Sequence, residues 1–185
     1  MGMVLVNYTL AMNAQDEGDD PSWLLLATYA LSGKPAAIFV ILAGIGITLM
    51  TRKTHLASET AKDTREMVIM RVHDRLILGK RALFLFIAGL LYYPLWPADI
   101  LHYYGVWILV AIRLLFVSNR VLLAGAGLSL LIAYVLLFTV DYEIGWDWDT
   151  LEYAGFWRPD GFVRNMFYNG FHPVFPWLGF LFLGM

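Results

Sequence analysis

The chain has 185 residues, of which 59 % are hydrophobic and only 15 % charged, with a net charge of −2. A soluble domain carries roughly 45–50 % apolar and about 25 % charged residues, so this composition argues against an ordinary soluble fold and for a lipid environment. The absence of cysteine excludes disulfides and thiolate chemistry, and no basic patch interleaved with aromatics offers a nucleic-acid surface.

Met3–Met12 is apolar but short of the roughly 20 residues a spanning helix needs. Asn13–Pro21 reads as an acidic loop, with Asp20-Pro21 as N-cap and first helical position. Ser22–Leu31 then reads as a short interfacial helix ending at Gly33. Pro35–Thr51 is expected as a second span, closed by Arg52-Lys53. His55–Lys80 is expected as a charged loop holding an amphipathic helix, with Val68, Val72 and Leu76 at i, i+4 and Arg71 and Arg75 on a neighbouring stripe. Ala82–Trp96, Tyr103–Val117 and Val121–Val140 follow as third, fourth and fifth spans. Asp141–His172 is a long loop rich in Trp, Asp and Gly, and Pro173–Met185 begins a sixth span. No basic start or small-residue cleavage site marks a signal peptide. The fold class expected is an all-α polytopic membrane helix bundle of five to six spans, the first and last truncated. The expectation is one transmembrane domain over residues 1–185, a fragment of a longer protein, with a cytoplasmic loop at 52–81 and an outer loop at 141–172.

Eight of the thirteen basic residues lie between Arg52 and Arg81, and Arg113 and Arg120 fall on the same side of the expected topology. Basic loops stay cytoplasmic. Eleven of the fifteen acids fall on the other side. This orientation places the chain as a multi-pass cell-membrane protein with a cytoplasmic N-terminus, and Asp99, His102 and the Asp141–His172 loop face outward.

Few polar residues sit at or near membrane depth, and such residues are costly and usually functional. Asp99 and His102 are three apart, so a helix puts them on one face. The carboxylate would orient the imidazole, freeing its second nitrogen to take a proton; a plain helix N-cap is the competing role. His172 precedes Pro173 and is biased to an extended conformation at the mouth of span six. Asn7 lies inside the first apolar stretch, where an amide needs a partner. Arg71, Arg75, Lys80 and Arg81 form an inner basic set, suited either to phosphates or to anionic lipid. Gly44-Ile45-Gly46 and Gly125-Ala126-Gly127 lie mid-span and read as close helix packing. The tryptophan-rich Trp146-Asp147-Trp148-Asp149 makes no metal site, and no metal is expected.

Three segments together carry a resemblance. Val6-Asn7-Tyr8, Pro97-Ala98-Asp99-Ile100-Leu101-His102-Tyr103-Tyr104-Gly105 and Gly170-Phe171-His172-Pro173-Val174-Phe175-Pro176-Trp177 are similar to the transmembrane acyltransferase superfamily, which includes heparan-α-glucosaminide N-acetyltransferase and bacterial inner-membrane relatives. The similarity corresponds to the N-terminal half of a longer member. It implies cytoplasmic acyl-CoA as the donor co-substrate and acyl transfer to a sugar or glycan at the outer face. It also implies a catalytic asparagine in a Val-Asn-Tyr context, matched by Asn7, and a following histidine, which this chain lacks before His55. Combined with the residues above, this makes His102 with Asp99 the first choice of base and His172 the second. Asn7 or Asn169 would donate to the carbonyl, and Arg71, Arg75, Lys80 and Arg81 would meet CoA phosphates. The bilayer is a partner in any reading, and a homo-oligomer is compatible with all of them. The alternatives are a transporter or flippase using Asp99 and His102 as a proton relay, or an inactive fragment.

Overall fold

The computed structural model describes residues 34–60, 64–148 and 150–185, and these are mostly helical. The helices are α1 (Lys34–Thr60), α2 (Thr64–Tyr92), α3 (Leu101–Leu114) and α4 (Asn119–Thr139). A two-stranded hairpin follows, β1 (Trp146–Asp147) and β2 (Glu152–Tyr153), then α5 (Pro159–Arg164), a π-helical turn at Asn165–Asn169, and α6 (Val174–Gly184). Met3–Met12 and Ser22–Leu31 lie outside the described residues.

Two of the described helices, Lys34–Ala57 within α1 and Asn119–Thr139, are long and apolar enough to cross a membrane. The expected five to six spans are not reached by this measure, for two physical reasons. The 29-residue α2 carries Arg65, Glu66, Arg71, Asp74, Arg75, Lys80 and Arg81 in its first two thirds. The apolar α3 and α6 have 14 and 11 residues, about 21 and 17 Å of helix against a hydrocarbon core of about 30 Å. The 52–81 stretch, expected as a loop holding an amphipathic helix, is mostly helical among the described residues. Both α1 and α2 run on as helix through most of it, because its charged residues are good helix formers with no Gly or Pro among them until Gly79. On α2 the Val68, Val72 and Leu76 stripe is exposed, and Arg71 and Arg75 lie over the Phe116 ring at 5.0 and 5.8 Å.

Antiparallel pairing of α2 and α3 fixes the site. Small residues let the backbones approach: Gly105 meets Ala82 and Phe86, and Gly89 meets His102. Lower down, Gly79 faces Ile112 and Arg71 meets Phe116. In parallel, α6 fits between α1 and α4. A Cβ on Gly44 or Gly184 would enter the opposing backbone, and Phe182 sits 3.2 Å from the Cβ position of Gly125. Gly46 and Gly127 meet nothing, so one glycine of each mid-span pair makes the helix contact. Buried Trp107 stacks at 6.4 Å on both Tyr103 and Trp177, joining the α2–α3 pair to α6. Without an apolar driving force between helices in lipid, such close approach is what holds a bundle together.

The molecule therefore has two ends. One carries Arg71, Arg75 and Phe116. The other carries the α2–α3 connection and the 140–173 segment, and the polar constellation lies there.

Candidate functional site

Pro97 and the turn after Tyr92 bring Asp99 to the start of α3, one residue before its N-cap Ile100. Asp99 Oδ2 accepts hydrogen bonds from the backbone N–H groups of Leu101 and His102, at 3.0 and 3.4 Å. The same oxygen lies 3.1 Å from His102 Nδ1. Helix capping and imidazole orientation are thus performed by one carboxylate, where the spacing alone offered them as alternatives. Accepting from Nδ1–H leaves Nε2 with its lone pair. His102 is fully buried, and Nε2 has no hydrogen-bond partner. Buried polar atoms are nearly always paired, so this nitrogen is an exception that calls for a role.

Gly89 creates the seat. A Cβ there would collide with the backbone nitrogen of His102 and come within 2.7 Å of Asp99 Oδ2. Nothing larger than hydrogen fits between α2 and the first turn of α3 at this level.

Behind His102, Tyr103 donates from its hydroxyl to Asn165 Oδ1 at 2.6 Å, and the rings of His102 and Tyr103 are 4.0 Å apart. The π-helical turn closes with the Gly170 N–H donating to the Asn165 carbonyl at 2.9 Å. Its wider winding turns both Asn165 and Asn169 inward, where each is buried. Gly170 leaves room for the Tyr103 hydroxyl and for Asn165 Oδ1, both of which a Cβ would displace. Inserted turns of this kind recur at functional sites.

Asn169 is fully engaged. Its amide donates to the carbonyls of Tyr142 and Ile144, both at 2.8 Å, and Oδ1 accepts from the Tyr153 hydroxyl at 2.7 Å. The Asn169 carbonyl accepts from Trp146 Nε1 at 2.6 Å. Arg164 Nε donates to the Tyr153 hydroxyl at 2.7 Å. With both amide hydrogens committed, Asn169 has none to offer an acyl carbonyl, and its geometry is that of a clamp on the 142–153 segment.

His172 comes to the same place from the other direction. Its ring lies 6.2 Å from Tyr103 and 5.1 Å from Trp177, and its Nδ1 is buried without a partner. Burial, aided by the His102 imidazole nearby and opposed by Asp99, pushes its pKa down to about 4, so the ring is neutral at pH 7. The structure thus brings Asp99, His102 and His172 together at Tyr103, whereas Asn169 is held by Tyr142, Ile144 and Tyr153. Asn7 lies outside the described residues.

The basic set does not converge. At about 1.5 Å per residue, Arg71 lies about 27 Å and Arg81 about 12 Å along α2 from Gly89. Arg71 and Arg75 cover Phe116, Arg81 reaches Met50 Sδ of α1 at 3.0 Å, and Lys80 is exposed. The expected single cluster is a ladder at two depths, because residues nine or ten apart on one helix are more than two turns apart.

Tyr103, Asn165, Tyr153 and Arg164 are the site neighbours that spacing did not reveal. Tyr103 and Asn165 are 62 residues apart. The one local signal is the Asn-Met-Phe-Tyr-Asn-Gly run, which brackets two amides four residues apart ahead of a glycine. Two cavities flank the constellation. One, of about 370 Å³, lies between Tyr93–Pro97 and Glu152–Arg158; the other, of about 390 Å³ and mainly apolar, lies between α4 and the start of α6. Neither is lined by His102 or His172, which sit behind their aromatic walls.

A profile of the family described as "Heparan-alpha-glucosaminide N-acetyltransferase, catalytic" matches residues 1–185. The match covers the whole chain, and the chain belongs to this family, whose members are membrane acetyltransferases. No curated protein and no solved structure matches it.

Proposed function

We propose that this member of the heparan-α-glucosaminide N-acetyltransferase catalytic family moves an acetyl group from acetyl-CoA to an amine or hydroxyl of a sugar, with His102 as the proton acceptor. The observation that carries the reading is His102 itself: buried, oriented by Asp99 through Nδ1, with Nε2 unpartnered. The acceptor nitrogen or oxygen attacks the thioester carbonyl carbon as Nε2 takes its proton. The C–S bond breaks, and the imidazolium returns that proton to the departing CoA thiolate. Such positioned proton transfer contributes typically 10²–10⁴-fold. Asp99 holds the tautomer and stabilises the imidazolium. Neutral His172 stands beside Tyr103 as the second imidazole of the site, and Asn7, which the resemblance puts in the catalytic region, is the carbonyl donor. Asn169 holds the loop.

Membrane orientation follows from the same assignment. The Arg71 end faces the cytoplasm, where acetyl-CoA is made available, and the 140–173 end faces outward. Several helices in the bilayer, α1 and α4 fully spanning, would carry the acetyl thioester between them. Arg81 and Lys80 are the basic residues nearest the site along α2, and Arg71 and Arg75 lie further down. A CoA extended along α2 would meet Arg75 with its phosphates and pass Arg81 on the way to His102.

Isothermal calorimetry of the detergent-solubilised protein with acetyl-CoA tests the donor side. Saturable binding weakened at least ten-fold in Arg75→Glu/Arg81→Glu is expected. Equal affinity in the wild type and the variant, or no binding by either, would overturn the donor assignment.

A further inference from the structure

The cavity of about 390 Å³ between α4 and the start of α6 is left unused by the reaction just described, and its size is that of pockets that enclose a ligand. It opens where the two helices part. Lower down they touch: a Cβ on Gly179 would stand 3.1 Å from the Ala126 carbonyl oxygen and 3.5 Å from the Leu130 side chain. Roughly two and three turns beyond Ala126, Ala133 and Leu137 line one wall, and Phe175 and Trp177 of α6 line the other. Leu137 is 57 % exposed, so the mouth reaches the outer surface of the bundle, whereas Ala133 is buried. On the neighbouring stripe of α4, Tyr134 and Phe138 are exposed, with ring centroids 4.8 Å apart.

The lining offers little to a polar ligand. The Tyr142 hydroxyl donates to the Gly170 carbonyl at 3.4 Å, and the Tyr168 hydroxyl donates to the Val140 carbonyl. Pro173 and Pro176 bring no backbone N–H. Apart from the Trp177 indole, the other side chains of the wall are pure hydrocarbon. A sugar or a headgroup placed here would lose its water without gaining partners. Depth points the same way. The 21 residues of α4 make about 32 Å of helix, close to the roughly 30 Å hydrocarbon core. Leu137 and Ala133 lie about 3 and about 9 Å from its end at Thr139, so the mouth opens into hydrocarbon. An unfilled gap there forfeits dispersion contacts, and close packing is what holds helices together in lipid. The medium at the mouth supplies the filling, since a lipid chain enters without leaving water.

We propose that this cavity is a lipid site that takes one acyl chain of a phospholipid from the leaflet at the hairpin end, inserted past Leu137 to lie against Trp177. The proposal uses the reading of α4 as a spanning helix and none of the acetyl-transfer assignments. It carries a consequence for the site. The Trp177 ring lies 5.1 Å from His172 and stacks on Trp107 at 6.4 Å. A chain seated against Trp177 backs the wall behind His172, so the bilayer is itself part of the packing that places the second imidazole.

The test is photolabelling of the full chain in phosphatidylcholine vesicles that carry a trace of phosphatidylcholine with a diazirine midway along one acyl chain, the adducts being mapped by mass spectrometry. Label is expected on Ala133 and Phe175, which lipid running along the outside of the bundle does not reach, as well as on exposed Phe138. Leu137→Trp enlarges an exposed side chain at the mouth. It should lower label on Ala133 and Phe175 roughly five-fold or more, with Phe138 still labelled and the melting temperature unchanged. Ala133→Phe, which fills the cavity from within, should lower label on Phe175 to the same degree. Tyr134→Trp, on the neighbouring stripe, should change nothing. Label confined to Phe138 and to exposed α1 positions such as Leu42 and Leu49 would mean surface lipid only, or a second copy seated in the cavity, and would overturn the proposal. Label on Ala133 and Phe175 that survives Leu137→Trp, or that Tyr134→Trp removes equally, would overturn it as well.

Discussion

At the scale of single residues, the site depends on one oxygen doing two tasks. Asp99 Oδ2 caps α3 and orients His102. Asp99→Asn keeps the size but can present its NH₂ to Nδ1 and favour the wrong tautomer. Turnover should fall roughly 10–100-fold while acetyl-CoA affinity changes little, as steady-state kinetics with calorimetry would read. Gly89→Ala should destabilise the protein by about 1–3 kcal/mol, seen as a lowered melting temperature in detergent, since the added methyl has only backbone and the Asp99 carboxylate to meet. His172 sets a pH dependence. Its folded pKa lies near 4, below the ordinary 6.5, so between these values the unfolded chain binds more protons than the folded one. Stability should fall as pH is lowered from about 6.5 to about 4, and His172→Asn should flatten that slope in melting curves taken across the window.

Elements show why part of the site is legible in the chain and part is not. Asp99 and His102 could be read directly, because three residues in one helical turn form a local geometry that any helix start reproduces. His172 and Asn169 could be named from the Asn-Gly and His-Pro punctuation around them. The approach of His172 to Tyr103 could not, because it depends on the α2–α3 pair and α6 meeting through Trp107. Asn165 escaped because the turn that points it inward is π-helical, and its period differs from the 3.6 by which helical faces are read. The role of Asn169 also needed the fold: its partners Tyr142 and Ile144 lie in the turn before the hairpin, and Tyr153 in a hairpin too short to leave a period-2 pattern. Helix extents were blurred in the same way. Spans at 121–140 and 103–117 lie close to the observed α4 and α3, whereas the amphipathic helix expected within the charged 55–80 stretch runs on without a break into the apolar segment from Ala82, so that the two form one α2. On α2 those charges ride a continuous helix.

Over the whole molecule, the proposed orientation puts the Arg71 end in the cytoplasm and the hairpin outside. The absence of cysteine from the chain makes this simple to check. His73→Cys and Trp157→Cys each introduce a single thiol at an exposed position of opposite ends. In intact cells a membrane-impermeant maleimide should label the Trp157 position at once and the His73 position only after permeabilisation; the reverse pattern would invert the topology.

The most direct measurement concerns His102. Acetyl transfer from radiolabelled acetyl-CoA to an amino sugar should be followed at saturating donor, comparing the wild-type protein with His102→Gln. The expected result is a loss of turnover of about 10²–10⁴-fold with acetyl-CoA binding retained. A His102→Gln protein that turns over like the wild type would contradict the account at its centre.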